Sequence, residues 1–184
     1  LQVNLAADAS FLGAEVVRFG RTAAGEGLGA GRWRSALMLQ RQRSDGPHWD
    51  LVDRLELGGD AIASPHGLAG QPVFGSLVWA APQPLGAAAM AQLLEQCRLA
   101  RDGLDGTMAC GALNQGLIAR YRGSSSQAAR FWFSRIWALV RQSQGLAPPD
   151  LPRVWPFQEQ PWSTQGFNLN AAREAITATV SACT

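Results

Sequence analysis

Four glycines alternate with other residues at positions 25, 27, 29 and 31, a spacing that could cradle a phosphate group. Such a loop binds an anion when its backbone N–H groups and the N-terminus of a following helix point at the anion. Here the glycines are followed by residues that alternate with period two, which is typical of a strand. The pattern therefore favours a turn that needs positive φ or close backbone approach over a dinucleotide site.

The sequence contains two histidines, His48 and His66, and only these could act as a general base of ordinary hydrolase chemistry. A serine hydrolase places such a base beside an activated nucleophile, and no Gly-x-Ser-x-Gly motif supplies one. An isolated histidine in a Pro/Gly loop, as at His66, is usually a surface residue. We therefore expect a protein that is not an enzyme.

Residue types that bind metals are present but scattered. His48, His66 and Cys110, with nearby carboxylates, could form a loose site, yet none has the short ligand spacing of a dedicated one. The three cysteines, Cys97, Cys110 and Cys183, are odd in number and far apart, which argues against a disulfide framework and against structural zinc. We expect no tightly bound metal or cofactor.

The most distinctive segment is residues 20–26, Gly-Arg-Thr-Ala-Ala-Gly-Glu, which lies between two strand-like runs. Gly20 and Gly25 are suited to shape a turn. The guanidinium of Arg21 is expected to brace that turn by binding carbonyls and a carboxylate. Glu26 is either the other half of this ion pair or a contact for a partner or a passing metal ion, and it is the one weak metal candidate.

Composition sets the class of protein. The 184 residues are 47% hydrophobic, enough for one sizeable core, and the net charge is +2. All 16 basic residues are arginines, and they are scattered rather than clustered, which argues against a nucleic-acid binder. No apolar run reaches the length of a bilayer span. We expect a soluble, cytoplasmic protein without membrane contact, and the first residue, Leu1, suggests a chain that lacks its N-terminal part.

Period-two alternation predicts a hairpin. Residues 11–20 are rich in strand formers, residues 32–43 and 48–57 alternate between apolar and polar, and residues 44–46 supply the turn between them. In the second arm we predict a dry face that packs against the core and a wet face that meets solvent. The dry face contains Trp49, Leu51, Leu55 and Leu57, and the wet face contains Asp50, Arg54 and Glu56.

The second half mixes strands with helices. Residues 73–80 are apolar on both faces, so the sheet needs a second layer. Helical spacing marks residues 86–101, strand character returns over residues 105–122, and Ser124 with Gln127 predicts the capping box of a second helix that runs to about residue 142. That helix is apolar around most of its circumference, so we expect a missing N-terminal part or a partner protein to cover it.

Four landmarks in order give the chain a resemblance to a known family. They are Glu15 with residues 20–26, the strand of residues 49–57 with Asp53, residues 117–123 with the helix that follows, and Pro-Arg-Val-Trp at 152–155. Together they resemble the urease accessory protein UreD, called UreH in some species, over roughly residues 2–157. Two departures are Leu28, where an aromatic residue is expected, and residues 158–184, which form an unassigned tail.

The resemblance implies a mainly β scaffold, β-helix-like or built from layered sheets, with two α-helices in the C-terminal half. Residues 1–157 are then the C-terminal portion of a UreD-like domain. The family implies an adaptor in urease maturation whose partners are UreF, UreG and the urease apoprotein, with transient nickel in an internal passage. Its motif and partner-binding candidates here are Gly20, Arg21, Gly25, Glu26, Arg120, Tyr121, Trp137, Arg153 and Trp155.

One alternative function stays open at this point. A β-rich surface with Arg32, Trp33 and Arg34 could stack and neutralise single-stranded nucleic acid. The urease-maturation hypothesis predicts no nucleic-acid binding, whereas salt-dependent oligonucleotide binding that is lost on Trp33→Ala would favour the alternative.

Overall fold

The computed structural model describes residues 1–29 and 31–150. Within this part the chain forms seven strands and three α-helices, in two sheets. Their bounds are β1 Gln2–Leu5, β2 Phe11–Arg18, β3 Arg32–Arg43, β4 Gly46–Gly58, α1 Asp60–Ala63, β5 Val73–Ala80, α2 Ala87–Leu99, β6 Thr107–Leu113, β7 Gly116–Gly123 and α3 Ser126–Ser143.

The strands form a small sheet and a large sheet. The small sheet has the order β1-β3-β4, with β1 parallel to β3 and β4 antiparallel to it. The large sheet has the order β2-β5-β7-β6 and is antiparallel throughout. One face of the large sheet packs against the small sheet, and α2 and α3 cover the other face. The fold is therefore mainly β and layered, with helices toward the C-terminus, which confirms the predicted class.

Strand β5 lies inside the large sheet and explains the apolar run at residues 73–80. All eight of its residues are buried, because β2 and β7 flank it and the small sheet and the helices cover its two faces. Alternate residues point to opposite layers: Leu77 and Trp79 join the cluster under the helices, and Val78 joins the cluster under the small sheet.

The hairpin of β3 and β4 contains a β-bulge that corrects one prediction. Leu39 pairs with Leu51, but Gln40 pairs with Trp49, so Asp50 is an extra residue on β4. The bulge moves Trp49 to the exposed face, where it is 52% exposed, and buries the Asp50 carboxylate at 4% exposure. The predicted dry face was therefore wrong at Trp49, and the predicted wet face was wrong at Asp50.

The buried partner of Asp50 is Arg41 on β3. Its Nε donates to Asp50 Oδ2 at 2.7 Å, and its Nη2 donates to the carbonyl of Ala81 at 2.9 Å. Its Nη1 donates to three carbonyls between β1 and β2, those of Ala6, Ala7 and Ala9. This guanidinium is 1% exposed and ties both sheets to the connection between β1 and β2.

Residues 105–122, where strand character was predicted, contain two strands. β6 and β7 form a hairpin whose turn residues are Asn114 and Gln115, and the Gln115 amide donates to the carbonyls of Ala81 and Pro82. Both arms have strand character, and the prediction did not locate the reversal between them. The hairpin places Arg120 in the middle of β7, beside β5.

Helix α3 begins one residue later than predicted. Ser125 is the N-cap, and its Oγ accepts a hydrogen bond from the Ala128 N–H at 3.1 Å, a role that was predicted for Ser124. The apolar residues of α3 other than Trp137 are buried within this chain, and Trp132 donates from Nε1 to the carbonyl of Cys97 in α2. Their burial therefore needs no other protein, contrary to the prediction.

No helix in the described part of the chain is long and apolar enough to cross a membrane. Arg153 and Trp155 lie outside the described residues, as does the predicted domain boundary at residue 157.

Candidate functional site

A row of three polar residues crosses the large sheet on the face that meets the small sheet. Glu15 of β2 pairs with Ser76 of β5, and Ser76 pairs with Arg120 of β7. Residues directly opposite each other on neighbouring strands point to the same side of a sheet. Strand register therefore brings together three side chains that are far apart in the sequence. Glu15 and Ser76 are 61 positions apart, and Ser76 and Arg120 are 44 positions apart.

The small sheet places two further polar residues over this row. Arg120 donates from Nη2 to Oδ2 of Asp53 at 2.6 Å and from Nη1 to Oγ of Ser76 at 2.5 Å. Ser35 donates from its hydroxyl to Oε2 of Glu15 at 3.0 Å. The Arg120–Asp53 and Ser35–Glu15 hydrogen bonds join β7 to β4 and β3 to β2, so these two cross from one sheet to the other.

A cavity of about 490 Å³ lies between the sheets and is lined by all five of these polar residues. Apolar clusters flank it on both sides, one around Leu39 and Val78 and the other around Phe19 and Phe74. The cavity is thus a polar interruption of an otherwise apolar layer between the sheets. Glu15 is on the edge strand β2 and is exposed, which indicates that the cavity opens to solvent on that side.

The charges in this cavity are unevenly neutralised. The Asp53 carboxylate is 17% exposed and is paired with Arg120, whose guanidinium also lies 5.7 Å from the centre of the Phe74 ring. Glu15 forms no salt bridge with any residue of the described chain, and its contact with Ser35 leaves lone pairs free. Carboxylate and hydroxyl oxygens in this arrangement can hold a hydrated divalent cation weakly and exchangeably.

Residues 20–26 form a separate, exposed loop in which Arg21 and Glu26 pair. Arg21 donates from Nε and Nη2 to the two carboxylate oxygens of Glu26, and its backbone N–H donates to Oε2 at 3.3 Å. This bidentate contact holds the pKa of Glu26 below its usual value. The guanidinium binds the predicted carboxylate, but among the described residues no hydrogen bond joins it to a turn carbonyl. Contact of Glu26 with a partner or a metal stays a prediction.

The glycines of this loop have different surroundings. Gly20 has φ of +82°, and a Cβ built on it would lie 2.8 Å from the backbone of Glu26. Gly25 has φ of +73°, but a Cβ there would meet nothing within 4 Å. The loop lies outside the lining of the cavity between the sheets.

The other family-motif candidates do not form one site. Tyr121 lies next to Arg120 on β7 but points to the helical layer, where it is 1% exposed. Its hydroxyl donates to the carbonyl of Asp105 and accepts from the N–H of Ser125, and burial raises its pKa. Trp137 on α3 is half-buried. Of the named candidates in the described chain, only Arg120 lines the cavity.

The Arg32-Trp33-Arg34 surface does not present a stacking platform. The Trp33 ring packs against the rings of Phe19 and Phe74, with centroids 5.8 Å and 5.7 Å away. Arg32 and Arg34 both form salt bridges with Glu56. Binding of single-stranded nucleic acid, the alternative function, required an exposed aromatic ring at Trp33, and the structure does not provide one.

The histidines lie apart from the cavity. His48 contacts Asp45 at the tip of the β3–β4 hairpin, and the backbone N–H of His66 donates to the Ser64 hydroxyl. Within residues 1–29 and 31–150, no three His, Cys, Asp or Glu side chains are grouped so as to hold a metal ion.

Sequence reasoning named Arg120 but did not identify the cavity. Glu15 and Asp53 entered only as family landmarks, and Ser35 and Ser76 were not singled out. The sequence does contain one sign of such a site, which is a polar residue at a position where an alternating strand should place an apolar one. Asp53 is such a residue, because it alternates with Leu51 and Leu55 and so lies on the same face of β4. That signal locates single residues, and only strand pairing shows that they face one another.

Comparison with known proteins identifies relatives for the whole described region. The sequence profile of the family described as "UreD urease accessory protein" matches residues 1–156. Curated proteins named "Urease accessory protein UreD" are similar as well. Those of Synechococcus sp. (strain CC9605) and Parasynechococcus marenigrum (strain WH8102) are each 60% identical, over 175 and 177 residues, and that of Synechococcus sp. (strain WH7805) is 61% identical over 180 residues.

These alignments cover nearly all of the chain but not of the relatives. They include 95–96% of this chain and 56–57% of each relative. The chain therefore spans somewhat more than half the length of the curated relatives it matches, and the matching region is their C-terminal part.

Proposed function

Because this chain belongs to the UreD family of urease accessory proteins, we propose that it acts in the maturation of urease. The observation that carries this proposal is the family match over residues 1–156 together with identity of about 60% to proteins of that name. The role is that of a non-enzymatic scaffold in the cytoplasm, required for assembly of the nickel centre of urease.

The partners in this proposal are UreF, the GTPase UreG and the urease apoprotein. The scaffold bridges the apoprotein and the complex of UreF with UreG. Half-buried Trp137 on α3 and the exposed loop of residues 20–26 are candidate contacts on the described surface. Arg153 and Trp155 stay candidates from the family motif alone.

We further propose that the cavity between the sheets belongs to the path of the transported nickel ion. Three features support this assignment. The cavity is polar inside an apolar layer, it contains the carboxylates of Glu15 and Asp53, and Glu15 is not neutralised by a cation in the described chain. A conduit needs weak and exchangeable oxygen ligands, because a closed cage would retain the ion.

Arg120 sets the electrostatics of this path. Its positive charge opposes entry of a divalent cation, and its ion pair with Asp53 removes one carboxylate from the set of free ligands. Glu15 is therefore the first carboxylate available to a cation that enters beside β2. The Oδ2 atom of Asp53 becomes available only when Arg120 moves away from it.

The scaffold function is tested by expressing a urease operon with and without the gene that encodes this protein in full. We expect urease to accumulate as apoprotein when the gene is absent and to gain nickel and activity when the gene is restored. Nickel per active site, measured on purified urease by mass spectrometry, gives the readout. Full nickel loading without the gene would contradict the proposed function.

Partner binding is tested separately by purifying affinity-tagged UreF from the same cells. The complete protein is expected to copurify with UreF in stoichiometric amount. A protein that stays monomeric and binds neither UreF nor urease apoprotein would contradict the bridging role while leaving the family assignment untouched.

A further inference from the structure

Two cysteines that are 13 positions apart in the sequence meet between α2 and β6. Cys97 lies in the last turns of α2 and is 0% exposed. Cys110 lies on β6, packs against the same cluster and is half-buried. The Cys110 thiol donates to the carbonyl of Leu94, one helical turn before Cys97, with 3.7 Å between sulfur and oxygen. The Cys97 and Cys110 thiols also interact with each other through a side-chain hydrogen bond, so they are neighbours across the helix–sheet interface.

The surroundings give the two thiols different properties. Arg101 follows α2 and donates from Nη1 to the carbonyl of Met108, two residues before Cys110 on β6. Interaction with the Cys97 thiol, and also with Arg98 and Arg101, lowers the pKa of Cys110 to about 7. Interaction with Cys110 and burial raise the pKa of Cys97 well above its usual value. Cys110 is thus the more acidic thiol, about half of it thiolate near pH 7, and Cys97 retains its proton.

We propose that Cys97 and Cys110 form a redox-active dithiol that hydrogen peroxide converts into a disulfide joining α2 to β6. The half-buried thiol admits a small oxidant, and the buried thiol next to it resolves the product. This inference concerns the helical layer and is independent of the proposed role in urease maturation.

The reaction has two balanced steps. The Cys110 thiolate attacks one oxygen of hydrogen peroxide, the O–O bond breaks, and the released hydroxide takes a proton to become water. The sulfur of Cys97 then attacks the sulfenic acid sulfur of Cys110, an S–S bond forms, and hydroxide leaves with the Cys97 proton as a second water. Two thiols and one peroxide thus give one disulfide and two waters.

The arginines of the chain make the product easy to identify. Trypsin cleaves after Arg54, Arg98, Arg101 and Arg120, so Cys97 and Cys110 fall in separate peptides, residues 55–98 and 102–120. The complete protein is treated with equimolar hydrogen peroxide, free thiols are blocked, and the digest is analysed by mass spectrometry. We expect a linked pair of these peptides, two hydrogens lighter than their sum, that dithiothreitol separates.

Three cysteine variants show which thiol carries out each step of the reaction. Cys183→Ser is the matched control and is expected to keep the link between residues 55–98 and 102–120. In Cys97→Ala the link is expected to disappear, and Cys110 is expected to be trapped as a sulfenic acid by a dimedone probe. In Cys110→Ala, which removes the attacking thiolate, peroxide is expected to leave Cys97 reduced.

The pH dependence gives a second readout on the wild-type protein. Alkylation of Cys110 by iodoacetamide is expected to reach half its maximal rate near pH 7, whereas an ordinary thiol does so at about pH 8.5. The proposal is overturned if peroxide leaves both thiols reduced, if Cys110 stays a sulfenic acid in the wild-type protein, or if Cys110 pairs with Cys183 instead.

Discussion

Arg120 of β7 and Asp53 of β4 form an ion pair across the cavity between the two sheets, with 2.6 Å between Nη2 and Oδ2. The same guanidinium donates to the Ser76 hydroxyl on its own sheet. This side chain therefore ties the two sheets together where polar residues replace the apolar core. It also neutralises one of the two carboxylates in the cavity.

Replacement of Arg120 by methionine is expected to destabilise the protein by about 1–3 kcal/mol, because Asp53 and Ser76 lose a charged hydrogen-bond partner in a partly desolvated site. Urea unfolding of the complete protein, followed by circular dichroism, measures the change. Arg54→Met on the exposed side of β4 is the matched control and is expected to change stability by less than about 0.5 kcal/mol. Equal effects of the two variants would show that the ion pair does not hold the sheets together.

The buried pair of Arg41 and Asp50 predicts a larger effect. Arg41→Met removes the nearest partner of a carboxylate that is 4% exposed and takes one donor from each of four carbonyls, so a loss of about 3–5 kcal/mol is expected. Arg43→Met is the matched comparison, because Arg43 is 46% exposed and lies 3.7 Å from the same carboxylate. It is expected to cost about 0–1 kcal/mol.

The same urea titration ranks these two variants. An equal loss of stability in Arg43→Met and Arg41→Met would contradict the view that burial of the Arg41–Asp50 pair at the bulge is what stabilises the protein.

The loop of residues 20–26 yields a prediction for two glycines with similar φ. Gly25→Ala is expected to cost about 1 kcal/mol, the strain of a Cβ at positive φ, because space around it is open. Gly20→Ala is expected to cost more, because its Cβ would also collide with the backbone of Glu26. Amide hydrogen exchange of residues 20–27 reports on this loop directly. Equal protection in the two variants would contradict the close approach at Gly20.

The secondary structure could be read from the sequence where hydrophobic periodicity is regular. Residues 32–43, 73–80 and 86–101 follow the observed elements closely, because alternation or helical spacing runs through them without interruption. The bulge at Asp50 could not be read in this way. Alternation describes one strand alone, and a bulge arises where two strands lose register with each other.

The cavity was not predictable for a related reason. Its polar residues come from β2, β3, β4, β5 and β7, and each looks like an isolated exception within an apolar pattern. Only the order of strands and their register place Glu15, Ser76 and Arg120 in one row. Strand order depends on packing between layers, which local sequence patterns do not encode.

The most direct test of the proposed nickel path compares two isosteric changes in the complete protein, Glu15→Gln inside the cavity and Glu56→Gln outside it. Both replace one carboxylate by an amide of the same shape, but only the first removes a free ligand from the path. Each variant is expressed with the urease operon, its level and its copurification with UreF are checked, and nickel per urease active site is measured. We expect Glu15→Gln to lower nickel loading and urease activity together by about tenfold at unchanged partner binding, and Glu56→Gln to match the wild type. Nickel loading by Glu15→Gln equal to that of the wild type would contradict the assignment of the cavity as the path.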